Sequence, residues 1–275
     1  GKQFLPLIGE RIINKVDVLK AKHVVPVLCI VKSKNADDVN TYISQKVKRG
    51  AELGVQVRVV EFAQTVLDDP AALATEVKKM NADPHIHGII FQKPSHPNVN
   101  DAIEYLVDPA KDVDGFLPAS PHKPPVYRGV LQILEHIYQK DFPEILPSKT
   151  FVVIGKGKTG GEPVIEGLKK DGISTVHVID SKTTPEEKAK CLKYASIVVS
   201  AVGMRNPVDP TLLPEQGILI DFGVHFENGK IRPDFAESDI QERLQYYTTT
   251  PGGIGPMTPL FLIDNTVDAA LSLTS

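Results

Sequence analysis

The sequence predicts an α/β protein of two domains, the second built on a parallel sheet. Two observations carry that prediction. Short apolar runs recur along the chain and alternate with segments of helical period, the pattern of buried parallel strands joined by helices. One of these runs, Phe151–Ile154, passes directly into a turn with Gly155, Gly157, Gly160 and Gly161, and then into a helix-periodic stretch. At 275 residues, 41% apolar and 24% charged, the chain is long enough to fill two cores.

Composition narrows the function. A formal net charge of −3 without a basic tract speaks against nucleic acid or an anionic membrane as partner. No apolar run is long enough to span a bilayer and no secretory signal is read. Cys29 and Cys191 lack metal-ligand spacing, and only His85 and His87 among the histidines lie close together. Reduced, packed thiols, a cytoplasmic location and no metal site are therefore expected.

Taken in order, residues 1–25 are helix-compatible and 24–31 (VVPVLCIV) read as the first buried strand, with Pro26 near its start. Residues 39–54 place Val39, Tyr42, Ile43, Lys46, Val47 and Leu53 at helical spacing, closed by Gly54. Tyr42 and Lys46 thus share one helical face. Such a pair can set an ammonium beside a phenol for proton transfer, or be a solvated lysine next to a half-buried tyrosine. Residues 55–62 read as a strand, 71–80 as a helix and Gly88–Phe91 as a third strand, which breaks at Gln92. A residue just past the carboxyl end of a strand faces the ligand crevice of an open α/β sheet, so Gln92 is a candidate. Lys111, Asp112 and Asp114 precede Gly115 in a turn-rich stretch without the oxygen array of a calcium loop; a carboxylate bonding a polar ligand is the functional reading.

The glycine turn after Phe151–Ile154 has the residues a pyrophosphate needs: no Cβ where the backbone must approach closely, and a helix N-terminus beyond. A strand at 175–179 ends in Asp180, which stands 19 positions after Gly161, about where a dinucleotide fold places the acid that binds a ribose hydroxyl. Strand-like runs at 197–202 and 217–221 continue a Rossmann-type nucleotide-binding domain, and Thr258–Leu273 reads as a closing helix.

With these segments in place, the chain resembles the bifunctional methylenetetrahydrofolate dehydrogenase/methenyltetrahydrofolate cyclohydrolase family from about residue 24 to 270. YISQKVKRGAELG is similar to the family's Tyr-x-x-x-Lys helix, GIIFQKPSHP to its glutamine loop, GKGKTGGEP to its cofactor turn and PGGIGPMT to its Pro-Gly-Gly-Val-Gly-Pro-Met-Thr, while KDVDGF matches almost unchanged. The resemblance implies an N-terminal folate domain, residues 1–124 joined by the helix 258–275 packing back on it, and a Rossmann domain over 125–257. It implies Lys46 as catalytic lysine, Tyr42 beside it over the substrate, Gln92 assisting Lys46 and Asp114 anchoring the pterin. Pro251, Gly252, Gly253 and Pro256 would line the folate side. Gly155, Lys156, Gly157, Thr159, Gly160, Asp180, Ser181, Val202 and Gly203 would hold the nicotinamide cofactor. A homodimer acting on tetrahydrofolate one-carbon derivatives is implied as well.

Departures from the family pattern gather in two places. On the folate side, Val39 replaces a serine, Lys93 a leucine, His96 a proline, and Pro125 and Val126 a Cys-Thr pair. They leave a dehydrogenase with impaired cyclohydrolysis, or a non-catalytic folate- or nucleotide-binding relative, as alternatives. A dehydrogenase of the shikimate or amino-acid type is the nearest other enzyme. On the cofactor side, Lys156 and Gly157 stand for Arg-Ser and Asp180 for a histidine. A carboxylate there accepts from a free 2′-hydroxyl and repels a 2′-phosphate, whereas Lys156 attracts phosphate, so NAD is slightly favoured over NADP.

Overall fold

The computed structural model describes residues 1–32, 40–93, 96–99, 101–104 and 106–274. In chain order the strands are β1 (Val27–Lys32), β2 (Gln56–Glu61), β3 (Gly88–Phe91), β4 (Phe151–Ile154), β5 (Val176–Ile179), β6 (Ile197–Ser200), β7 (Ile218–Asp221), β8 (Val224–Glu227), β9 (Lys230–Pro233) and β10 (Tyr246–Tyr247). The longer helices are α1 (Leu5–Ala21), α2 (Asn40–Glu52), α3 (Pro70–Ala82), α4 (Pro125–Tyr138), α5 (Gly161–Lys170), α6 (Pro185–Lys193) and α7 (Thr258–Leu273). Contacts divide the chain into two compact units, one of Phe4–Pro125 with Pro259–Ser275, the other of Gly1–Gln3 with Val126–Thr258.

The first unit holds a parallel three-stranded sheet in the order β2-β1-β3. β1 is central and covered on both faces, which is why it reads as an unbroken apolar run. Its alternate residues feed two cores. Leu28 and Ile30 pack with Ile90, Val113, Leu262 and Ala269, and Cys29 and Val31 pack with Leu73, Val77, Ile89 and Phe91. Burial pushes the Cys29 thiol up to about 11, so it packs as a small apolar group. β1 begins at Val27 rather than Val24 because the Val24 amide bonds Leu19 O and finishes α1; the Pro26 carbonyl then accepts from Gln56 N. The expected helix start at Val39 lies outside the described residues, and from Asn40 the helix is present.

α1 buries Ile8, Ile12, Val16 and Leu19, one stripe of a 3.6-residue period. α7 belongs to the same unit from Pro259 on. Its Asn265 Nδ2 donates to Val113 O at 2.8 Å and Lys123 O at 2.9 Å. Its Asp264 is fully buried and is matched by Arg11 at 3.0 Å and Lys15 at 2.9 Å. A buried carboxylate left without such partners costs about 3–5 kcal/mol, so α1 and α7 depend on each other.

The second unit is built on a parallel five-stranded sheet in the order β10-β7-β6-β4-β5. From β4 the chain adds β5 on one side and returns to the other side for β6, so the order reverses at β4. Open α/β sheets bind ligands at the carboxyl ends of the strands flanking such a reversal. β4, β6 and β7 are buried throughout, and α6 starts on a capping box in which Thr184 and Glu187 bond each other's backbone amides. β8 and β9 form an antiparallel hairpin turned at Asn228-Gly229, both at positive φ (51° and 72°). No described helix is long and apolar enough to cross a membrane.

Candidate functional site

In the first unit the structure brings Lys46 and Gln92 together although 46 residues separate them. α2 carries Lys46, β3 ends one residue before Gln92, and the Gln92 amide bonds Val31 O at 2.8 Å, so the sheet fixes its backbone. Gln92 Nε2 donates to Lys93 O at 2.9 Å, which turns Oε1 toward Lys46 Nζ, 2.5 Å away. Burial is the main reason the Lys46 ammonium is held below the ordinary lysine range; the opposing pull comes from Asp114. Burial pushes Asp114 up to about 7, against the attraction of Lys46. A lysine and a carboxyl are thus both drawn toward neutrality in one place, an arrangement suited to proton transfer. Tyr42, one turn before Lys46, is 60% exposed.

Local structure explains why Asp114 is the carboxylate available to a ligand. Asp112 is buried and spent internally, accepting from Gly115 N at 3.1 Å and Leu117 N at 2.8 Å. Lys111 is buried against the end of α3, its Nζ 2.7 Å from both Asn81 O and Asp83 O, so it caps the carboxyl end of that helix. Gly115 has φ +69°, and a Cβ there would lie 2.5 Å from His122 O. Asp114 lines a cavity with Phe91, Lys93, Glu104, Phe116 and Leu117. The charge that Lys93 brings to this place is paired with Glu104. Pro125 and Val126, two of the departures from the family pattern, are buried in the first turn of α4.

In the second unit the glycine turn lies at the reversal of strand order. Two of its glycines are demanded by the turn itself. A Cβ on Gly155 (φ +92°) would sit 2.9 Å from Ala201 O, and one on Gly161 would sit 1.9 Å from Gly155 O. A Cβ on Gly157 would meet nothing within 4 Å, so that side of the turn is open ahead of α5. Gly160 is the residue before α5, and Thr159 is exposed. The open side of the turn and the positive end of the helix dipole fit a pyrophosphate. Asp180 follows β5, and its Oδ2 lies 2.5 Å from Lys156 Nζ. That bond, with the Lys182 amide on Oδ1 at 2.8 Å, holds the carboxyl down to about 2. Ser181 is exposed beside it. Lys156 and Asp180, which sequence alone sets pulling in opposite directions, are therefore one ion pair.

The loop after β6 borders this turn: the Ala201 amide bonds Ile154 O at 2.9 Å, and Val202 and Gly203 follow. The strand expected over 197–202 stops at Ser200 because the amides beyond Ala201 leave the sheet. Those of Val202, Gly203 and Met204 lie 2.9, 2.8 and 3.0 Å from the carboxylate of Asp234, and Ser200 Oγ donates to it at 2.6 Å. Neither Ser200 nor Asp234 is a candidate from sequence. Their partners lie 30 to 34 residues apart, and a buried acceptor leaves no local pattern. Asp221, at the end of β7, is pushed up to about 8, first by burial and then by the charge of Asp234. The turn with Pro251, Gly252, Gly253 and Pro256 belongs to this unit; Gly252 has φ +124° and its carbonyl accepts from Lys2 N at 3.1 Å.

Comparison with known proteins matches both units. Residues 1–114 match the catalytic domain of tetrahydrofolate dehydrogenase/cyclohydrolase, and residues 124–274 match its NAD(P)-binding domain. The bifunctional protein FolD of Nautilia profundicola is 30% identical over 98% of this chain and 95% of its own length. The bifunctional methylenetetrahydrofolate dehydrogenase/cyclohydrolase of Campylobacter jejuni superposes with a TM-score of 0.88 at 27% identity, covering 99% of this chain and 97% of the other. The Trypanosoma brucei enzyme, solved with NADP and an inhibitor, gives 0.85 at 26% identity, covering 99% and 96%.

Proposed function

Because the chain belongs to the tetrahydrofolate dehydrogenase/cyclohydrolase family, we propose that Lys46, Gln92, Asp114 and Tyr42 carry its folate chemistry and that the β4–β6 edge binds its nicotinamide cofactor. The activity is oxidation of 5,10-methylenetetrahydrofolate to the 5,10-methenyl form, followed by hydrolysis to 10-formyltetrahydrofolate. The bound nicotinamide supplies a hydride acceptor. No strong base is needed for that step, so the protein contributes orientation: Asp114 bonds the pterin and Tyr42 covers it. Pro251, Gly252, Gly253 and Pro256 are included in the proposal as the residues that the family resemblance assigns to the folate side.

Hydrolysis needs proton movement. Water adds to the methenyl carbon, one C–N bond breaks, the released nitrogen gains a proton and one proton leaves to solvent. Lys46, whose charged form burial disfavours and which Gln92 orients, takes the proton from the attacking water and returns one to the nitrogen. The 2.5 Å contact between Lys46 and Gln92 is the observation that carries this assignment. Replacing Lys46 by Met tests it: hydrolysis of the methenyl substrate should fall by about 10²-fold or more. Unchanged hydrolysis would remove Lys46 from the mechanism.

Gly155, Lys156, Gly157, Thr159 and Gly160 receive the phosphates, Val202 and Gly203 the nicotinamide side, and Asp180 with Ser181 the adenosine ribose. With its 2′-hydroxyl free, NAD suits the Asp180 carboxylate; the Lys156 charge that would attract a 2′-phosphate is already matched by that carboxylate. We therefore place NAD ahead of NADP, to be read from initial rates with both in parallel. A cytoplasmic homodimer completes the proposal, supported by the family resemblance and the two free cysteines, Cys29 and Cys191; sedimentation at several protein concentrations tests the dimer.

A further inference from the structure

We propose that Asp234 is a positioning residue for the nicotinamide cofactor, the anchor that holds the Val202–Gly203–Met204 loop at the β4–β6 edge; this rests on the cofactor site proposed above. Three consecutive backbone amides and one hydroxyl converge on its carboxylate, with distances of 2.6 to 3.0 Å. Consecutive N–H groups turned to one side, with a residue at positive φ among them (Gly203, +78°), form the concave nest in which proteins bind anions. Here the anion is the protein's own side chain, fully buried. Two more features maintain the arrangement. The Asp234 carbonyl accepts from Asn206 N at 2.7 Å, so the same residue fixes both ends of the loop's exit. Gly223 makes room: a Cβ there would lie 2.1 Å from Asp234 Oδ2.

The geometry explains why a carboxylate is required. All four groups facing it are donors, and an amide in its place would turn an NH2 against at least one of them. Charge-assisted bonds of this kind are about twice as strong as neutral ones, and buried donors are costly to leave unpaired. The loop carries Val202 and Gly203 and borders Gly155, so its displacement would alter cofactor binding while the folate residues of the other unit keep their own bonds.

The experiment compares Asp234→Asn, Ser200→Ala and Val202→Glu with the parent protein. KM for NAD and for NADP, kcat, and hydrolysis of the methenyl substrate without nucleotide are measured for each. Asp234→Asn should raise the cofactor KM by about tenfold, and Ser200→Ala, which removes one donor of four, by about threefold. In both, kcat and hydrolysis should stay within about twofold, a split that general destabilisation would not give. Val202→Glu tests the cofactor site itself. If it raises KM and Asp234→Asn does not, the anchor is wrong and the site stands. If Val202→Glu changes nothing, the site is wrong and the anchor falls with it. Should Asp234→Asn fail to fold, an unchanged cofactor KM in Ser200→Ala overturns the proposal and the threefold rise supports it.

Discussion

Each unit contains a lysine and an aspartate at its proposed site, and their surroundings drive the two pairs in opposite directions. Lys156 and Asp180 meet at 2.5 Å near solvent, and the aspartate falls to about 2: both groups stay charged. Lys46 and Asp114 influence each other within a buried environment, where the loss of water outweighs their attraction; the lysine is lowered and the aspartate rises to about 7. Residue type alone does not assign a role. The exposed pair is suited to recognising a ligand by charge, and the buried pair to moving protons.

That contrast can be broken by exchanging the perturbation. Lys46→Ala should lower hydrolysis of the methenyl substrate by about 10²-fold or more, whereas Lys156→Ala should leave hydrolysis within about twofold, because exposed pairs contribute little. Equal losses would mean the two lysines do not differ in kind. Asp180→Ser should move the ratio of kcat/KM for NADP over NAD upward by about tenfold, since one charged hydrogen bond is at stake; an unmoved ratio would place the ribose elsewhere.

A subtler test concerns stability. Because the folded-state value of Asp114 is raised, the folded protein binds more protons than the unfolded chain between about pH 4 and pH 7. Stability should therefore decline across that window and level off above it. Asp221, raised to about 8, acts with the same sign, so the informative quantity is the difference between Asp114→Asn and the parent in urea midpoints from pH 5 to pH 8. That difference should grow in favour of the variant as pH rises; a constant offset would show that Asp114 is already ionised at pH 5. The smallest effect belongs to Lys93→Leu, which restores the family's residue. With its charge already paired to Glu104, the change should move either activity by no more than about threefold.

The buried strands were legible because both faces of β1, β4 and β6 are covered, so apolar content needs no alternation to be recognised. α4 is harder to read: its first turn is Pro125-Val126-Tyr127, residues that sequence propensity assigns to a loop or strand, although proline at the first helical position is favourable. Periodicity also does not register β8 and β9, whose outward residues Val224, Phe226 and Ile231 are exposed; the Asn228-Gly229 turn is the signal that marks them. At the site, Lys46 and Asp180 stand in local motifs and can be found from them. Gln92 and Lys156 are candidates from sequence as well, but the bond from Lys46 to Gln92 and the salt bridge from Asp180 to Lys156 are set by strand order, and the Asp234 nest by a loop folding back on a distant carboxylate.

The closing position of α7 bears on how this protein is made. Residues 126–258 are continuous in sequence and can assemble as soon as they leave the ribosome, whereas Asp264 and Asn265 supply bonds to Arg11, Lys15, Val113 and Lys123, residues synthesised long before. The unit that is translated first is therefore completed last. Until then its β1 core lacks Leu262 and Ala269, and the nascent chain carries that unfinished apolar face through most of its synthesis, a burden for chaperones that the later-made unit does not impose.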